Sequence, residues 1–333
     1  MRIGPVLRAW VFNVASSKRW PKSRVRVGAQ LLPMLCMVLA MPALADDEFV
    51  EPLQPTDDDE AGGRGYFSLS YQTIEVNKFD TSASEVDIGE VLTQSLYLEF
   101  GYAITDRWQL QAGIPFIKKR YNGPGRHDPL TLEPPRPEVP FIDDGNYHND
   151  FQDFLIGASY LWIDDPVIVE PFARLFIPTS DYPHFGNAAV GQNLWKAEFG
   201  VDLTKFMPFS DWFYRLETSY TFVEETLGVS VNHFRINGEM GYFFTHAIAA
   251  NLFVQAKFGR GEDATTYPPS NRTSERWYQH DRTTRHSYVN AGVGGDWFFH
   301  ENYQLSGSVF TTLWGESVHL INVAWDIKIS RYF

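Results

Sequence analysis

The side chains that could do chemistry in this chain come as closely spaced pairs of opposite charge. Glu170 precedes Arg174, Lys196 precedes Glu198, Arg215 precedes Glu217, and Arg235 precedes Glu239. Spacings of two and four place both members on one face of a strand. Glu99 and Lys257 lie on segments of the same kind. Such a wall suits the passage or recognition of small solutes better than bond making. Nucleophilic catalysis needs a Ser within reach of a His base. His286 and Ser287 are adjacent, so on a strand they face opposite ways. Between 121 and 150, His127, Asp128, Asp143, Asp144, His148 and Asp150 stand among six prolines. They show no recognised metal-ligand spacing, and a solvated, Pro-stiffened loop is the reading. No dinucleotide glycine fingerprint, P-loop or H-E-x-x-H motif occurs. No enzyme, metal or cofactor is expected.

The elements that must position these charges are strands. From Gly65 onward the chain repeats about ten alternating residues and then a turn. Strands are expected at 65–76, 90–102, 108–120, 151–162, 167–177, 193–204, 212–222, 231–243, 247–259, 286–297, 303–313 and 318–333. In one, Trp195, Ala197, Phe199, Val201 and Leu203 oppose Lys196, Glu198 and Asp202, a period of two. Leu155, Phe172 and Phe176 break the pattern by falling on the polar face. A soluble β-sandwich would also alternate. Its strands run about five or six residues, however, whereas a membrane strand needs about 9–11. An apolar exterior around a charged interior is the membrane-barrel pattern. The fold class is therefore all-β: a transmembrane antiparallel up-and-down barrel of 12 strands, expected to be monomeric.

The front of the chain reads as a leader. Arg2, Arg8, Lys18, Arg19, Lys22, Arg24 and Arg26 precede an apolar run from Leu31 to Leu44 that closes on Ala43-Leu44-Ala45, as in a signal peptide over 1–45. Cys36, the single cysteine, falls inside it, so no disulfide is expected in the barrel. Residues 46–64 are acidic and apolar-poor, read as a disordered periplasmic tail, with the barrel over 65–333. The formal charge is −13, and losing the leader would remove only basic residues. Such acidity excludes nucleic acid, whose phosphates need a basic face.

Export places the start of the barrel in the periplasm. The short turns at 103–107, 163–166, 205–211, 244–246 and 298–302 then lie there, flanked by Trp108, Trp162, Trp212, Trp297 and Tyr303. The connections 78–89, 121–150, 178–192, 223–230, 260–285 and 314–317 face outward, with Tyr121, Phe222, Phe258 and Trp314 in the outer girdle. The 260–285 loop carries Arg260, Arg272, Arg276, Arg282 and Arg285. Arginine's planar fork suits phosphate, so lipopolysaccharide is an expected contact, as is a plain solvated loop.

Two resemblances bear on this. The final segment, V-H-L-I-N-V-A-W-D-I-K-I-S-R-Y-F at 318–333, alternates and ends on Phe333. It resembles the closing strand of bacterial outer-membrane barrels, which implies that Phe333 is part of a signal for the barrel-assembly machinery. Its alternation assigns Ile321 to Ile329 to lipid and Asn322, Asp326 and Lys328 to the lumen. Further, L-Y-L-E-F-G-Y-A-I-T-D-R-W-Q-L at 96–110, A-G-I-P-F at 112–116, D-F-L-I-G-A-S-Y at 153–160, F-I-P-T-S-D-Y at 176–182 and W-K-A-E-F-G-V-D-L at 195–203 resemble a family of outer-membrane transporters of the phenol meta-cleavage degradation pathway. Ser180 stands where that family usually has Gly. The resemblance implies a barrel passing hydrophobic or aromatic small molecules, and no catalytic residues. The outer-membrane phospholipases share the strand count, but their Ser two residues after a His is replaced here by Tyr288 after His286 and Ile321 after His319. The expected function is an outer-membrane channel for an unidentified small-molecule substrate. Its lumen is lined by Glu99, Glu170, Arg174, Lys196, Glu198, Arg215, Glu217, Arg235, Glu239 and Lys257 and gated by long loops. The alternative is a surface-interaction protein with an occluded lumen; a lipid-acting enzyme ranks third.

Overall fold

The computed structural model describes residues 63–333; the expected leader and nearly all of the acidic tail lie outside the described residues. The described chain forms thirteen strand segments: β1 (Gly65–Asp80), β2 (Glu85–Ala103), β3 (Trp108–Asn122), β4 (Tyr147–Phe151), β5 (Asp153–Tyr160), β6 (Ile168–Pro178), β7 (Lys196–Phe206), β8 (Trp212–Val223), β9 (His233–Thr245), β10 (Ile248–Gly259), β11 (Ser287–His300), β12 (Tyr303–Glu316) and β13 (Val318–Tyr332). Each stave pairs antiparallel with its sequence neighbours, and β1 pairs with β13 from Tyr66↔Tyr332 to Asp80↔Val318. The sheet therefore closes.

β4 and β5 are one stave, both laid against β3. The break falls at Gln152, whose N–H donates to the Pro115 carbonyl at 2.9 Å. Pro115 lacks an N–H to keep the ladder running. The structure is thus a closed antiparallel barrel of twelve staves, the fold of an outer-membrane barrel.

Alternation fixes which side faces out. On β13, Val323, Trp325, Ile327 and Ile329 are exposed, while Ala324, Lys328 and Ser330 are buried. Similar exposed apolar rows run along β2 (Leu96, Leu98, Phe100) and β10 (Leu252, Val254). A continuous apolar belt of this extent has no place in water. Lipid covers it. Trp108, Trp162, Trp212 and Trp297 are exposed at the short-turn end, where aromatic rings suit the interface. Inside, aromatic rings lie over glycines of the adjacent strand. A Cβ at Gly101 would stand 2.1 Å from Tyr66, and one at Gly292 2.4 Å from Phe253, so only glycine admits those rings.

Several sequence expectations need correction at the long-loop end. The strands run further than the alternation showed: β1 and β2 are joined by a four-residue turn, not a 78–89 loop, and His148 and Asp150 belong to β4. Tyr121 is not in the outer girdle; its side chain is buried and its hydroxyl donates to the Ile88 carbonyl at 2.8 Å. Ile321 does not face lipid. The β1–β13 register passes from Glu75↔Val323 to Val76↔Ile321, leaving Asn322 as an extra residue. This β-bulge turns the neighbouring side chains to the opposite face, and Ile321 is 1% exposed.

Candidate functional site: the lumen and its mouth

The lumen face from β5 to β9 is charged, and the strand registers bring its members together. Arg174 and Glu198 are directly opposed across β6 and β7. Arg174 donates to Glu198 at 3.3 Å and to Glu217 at 3.0 Å. Arg235 reaches the other oxygen of Glu198 at 2.9 Å, as does the Ser219 hydroxyl at 2.8 Å. Glu217 also accepts from Asn237 at 2.8 Å. Each charge of this network thus has an opposite partner, the condition for tolerating it.

Below this network Arg215 donates through Nε to Asp202 at 2.7 Å and through Nη2 to the same oxygen. Above it Lys196 donates to Asp153 at 2.7 Å. These partners come from other strands rather than from the near neighbours in sequence, and Glu239 lies opposite Arg215 in register. Glu99, on β2, accepts from Tyr66 and from Gln111 at 2.8 Å. Lys257 sits 5.8 Å from the Tyr288 ring. Asp153 is a member sequence reasoning missed, and Asp202, assigned to the polar face, was left out of the expected lining. Period-two alternation places both on the lumen face, but only the cross-strand register names their partners.

A cavity of about 40 Å³ opens beside this wall, lined by Gln109, Gln111, Glu170, Phe172, Asp202 and Arg215 among others. Glu170 Oε1 and Arg215 Nη1 are buried with no hydrogen-bond partner. At about 10–15 Å³ per water, a few waters fit.

The opposite face is different. Val76, Val91, Phe253, Tyr288, Phe310, Leu320, Ile321 and Ala324 form one buried apolar cluster, joined by Ile142, Ala188 and Ala189 from loops. Loop residues are therefore inside the barrel. Lys119 on β3 donates to the Ala189 carbonyl at 3.0 Å, and His319 on β13 meets Asn187 Oδ1 at 3.3 Å. The 179–195 loop thus crosses the lumen.

Two other loops lock it there. Asp143 accepts from the His127 N–H at 3.0 Å, the Ala188 N–H at 3.0 Å and Asn187 Nδ2 at 3.2 Å, and meets His127 Nδ1 at 2.8 Å. Burial pushes its carboxyl up, but these bonds outweigh burial and leave it low. The Trp277 and His280 rings stack at 3.8 Å, and His127 lies 5.1 Å from His280. Burial lowers His280 to about 4, against the pull of Asp281; burial and then Lys257 lower His286 to about 3. Both imidazoles are neutral near pH 7. Three of the loop arginines also turn to acceptors within the protein: Arg276 pairs with Glu262, Arg285 with Asp263 and with Glu316 at the end of β12, and Arg282 donates to the Asn193 carbonyl. Among the described residues, no group of three or more His, Cys, Asp and Glu is placed to hold a metal ion.

A closed barrel with a lipid-facing belt and a lidded lumen defines the class: an outer-membrane β-barrel. Among solved structures, the chain is similar to an outer-membrane channel from Pseudomonas putida F1, with a TM-score of 0.62 at 16% identity, covering 84% of this chain and 100% of that one. Two further likenesses are fainter. The NanC porin gives 0.45 at 9% identity, covering 79% and 98%; LpxR from Salmonella typhimurium gives 0.46 at 10%, covering 80% and 100%. The first supports the fold; the others are too distant to bear on it. No protein-family model matches the chain, and no curated protein does.

Proposed function

We propose that this chain is an outer-membrane channel for small molecules, shut at its outer mouth by a lid of three loops that must move for passage. The observation that carries this is the seating of Asn187–Ala189 inside the lumen by hydrogen bonds to β3 and β13. A closure made of loop can be released without breaking the barrel ladder. Beneath it the lumen combines a charged wall, a water-sized cavity and an apolar wall, a lining that suits small amphiphilic or aromatic solutes. The likeness to a solved outer-membrane channel supports the same reading. In this orientation the long loops face the cell exterior.

Planar-bilayer recording tests it. Replacing residues 183–191 with a short Gly-Ser linker should raise single-channel conductance severalfold over the wild-type chain. If both forms stay closed, and liposomes carrying either take up no small solutes, the lumen is occluded by its walls and the channel reading fails.

A further inference from the structure

We propose that Lys119 is the recognition point for the carboxylate of a small aromatic acid, and that the Asn187–Ala189 stretch of the lid holds that place until such an acid displaces it. The site presupposes the channel proposed above and names the class of solute that opens it.

The lid stretch has the chemical outline of its replacement. Ala188 and Ala189 join the apolar cluster of the lumen with Val91, Phe310 and Leu320. The Ala189 carbonyl accepts from Lys119 at 3.0 Å. Beside it Asn187 presents its amide oxygen to His319 on β13 at 3.3 Å. What this wall accommodates is therefore an apolar body with acceptor oxygens at one end. A small molecule of that outline is an aromatic carboxylate.

The lid matches Lys119 poorly. An ammonium carries three donors and a full charge, yet this one donates a single hydrogen bond, to a neutral carbonyl. Among the described residues no carboxylate forms an ion pair with it; Asp143 and Asp281 supply opposite charge from further off. Both of these acids ride on the lid. Asp143 is bonded to Asn187 and Ala188, and Asp281 lies 3.3 Å from His280. On the barrel wall, the cross-strand neighbour of Lys119 is His148, which is engaged with Asp144 at 2.8 Å.

Lifting the lid thus takes the Ala189 carbonyl and both counter-charges from Lys119 in one step. A desolvated ammonium left without a partner is costly. A carboxylate solute removes that cost by bringing acceptor oxygens and a negative charge together, whereas an alcohol or hydrocarbon of the same size brings no charge. Solute and Ala189 compete for one ammonium. An acid that binds only after Ala189 has left therefore shifts the lid toward its open state.

The test is planar-bilayer recording of the full chain near pH 7, with sodium benzoate, sodium chloride or benzyl alcohol added on the long-loop side. Equilibrium dialysis of radiolabelled benzoate against the detergent-solubilised protein accompanies it. Benzoate should raise open probability severalfold over equimolar chloride, while benzyl alcohol, the same ring without the charge, should leave it within twofold. Lys119→Met should abolish the benzoate response and Lys119→Arg should keep it. With residues 183–191 replaced by the Gly-Ser linker, benzoate should bind severalfold more tightly than to the wild-type chain, and adding Lys119→Met should remove that gain. The site is overturned if benzoate binds neither form, if benzoate and benzyl alcohol act alike, or if response and binding survive Lys119→Met unchanged. Lys119-dependent binding to a protein that conducts in none of these forms would instead sink the channel reading and leave the site standing.

Discussion

From β5 to β9 the lumen face holds Arg174, Glu198, Arg215, Glu217 and Arg235, knit by ion pairs; from β10 round to β1 it holds an apolar cluster with Phe253, Phe310, Ala324 and Ile74, beside hydrogen-bonded polar side chains such as Gln304 with Asp296 and Thr312 with Asn290. The charged side sits on staves paired in unbroken register from β6 to β9. The apolar side sits where registers slip, at Asn77, Leu313 and Asn322. Directional bonds between charges demand fixed strand positions, because a one-residue slip sends every partner to the other face. Apolar contacts tolerate local irregularity, because they have no direction to lose. One wall is therefore built to hold its shape and the other to allow bulges, and the lid docks on the second through Ile142, Ala188 and Ala189.

Removing one partner should separate the walls most sharply. Glu198→Ala leaves Arg174 and Arg235 facing each other in a buried site, at a cost of about 3–5 kcal/mol. Urea unfolding in detergent would measure it. A loss under about 1 kcal/mol would mean that this wall is hydrated and the contrast is false.

Acid should act next, on the lid. His280 falls from its free value of 6.5 to about 4 when docked. The docked lid thus binds fewer protons than a released one. Docking is at full strength above pH 6.5, weakens as pH drops toward about 4, and loses nothing more from this group below that. The whole step is on the order of 3 kcal/mol. Channel opening should therefore rise between pH 6.5 and 4, and less so in His280→Asn. A flat profile in both proteins would detach the lid from any imidazole.

On the apolar wall, Leu320→Ala should cost about 2 kcal/mol, the low end for such a truncation, because bulged neighbours can close over the space. A cost above that of Glu198→Ala would invert the comparison. The smallest effect belongs outside both walls. Lys78 and Glu85 pair at 3.1 Å with both side chains about 40% exposed, and Lys78→Ala should change stability by no more than about 0.5 kcal/mol.

Much of this was legible in the residues. Alternation along Trp195–Leu203 or Phe234–Tyr242 states the strand and its two faces, because side chains on opposite faces of a closed sheet meet different solvents. Even Leu155, Phe172 and Phe176, which broke the pattern, are buried on the lumen side, as the period of two demanded. What could not be read was anything depending on two strands at once. Glu198 gains Arg174 and Arg235 from either side, although Lys196 is nearer in sequence. Ile321 points inward because of a bulge that no local pattern announces. Residues 183–194 showed no motif, yet the Asn187–Ala189 stretch occupies the lumen through partners on β3 and β13.

The closure between Gly65 and Phe333, whose N–H and C=O groups exchange bonds at 2.8 and 3.0 Å, bears on how the barrel comes into being. The first stave needs the last as its neighbour. Until Phe333 is in place, β1 and β13 are both open edges, ready to pair with any other strand. Contacts so distant along the chain form slowly, which lengthens the exposure of those edges. A catalyst that holds one edge while the remaining staves assemble would shorten it, and truncation by a single stave should yield aggregates rather than a smaller barrel.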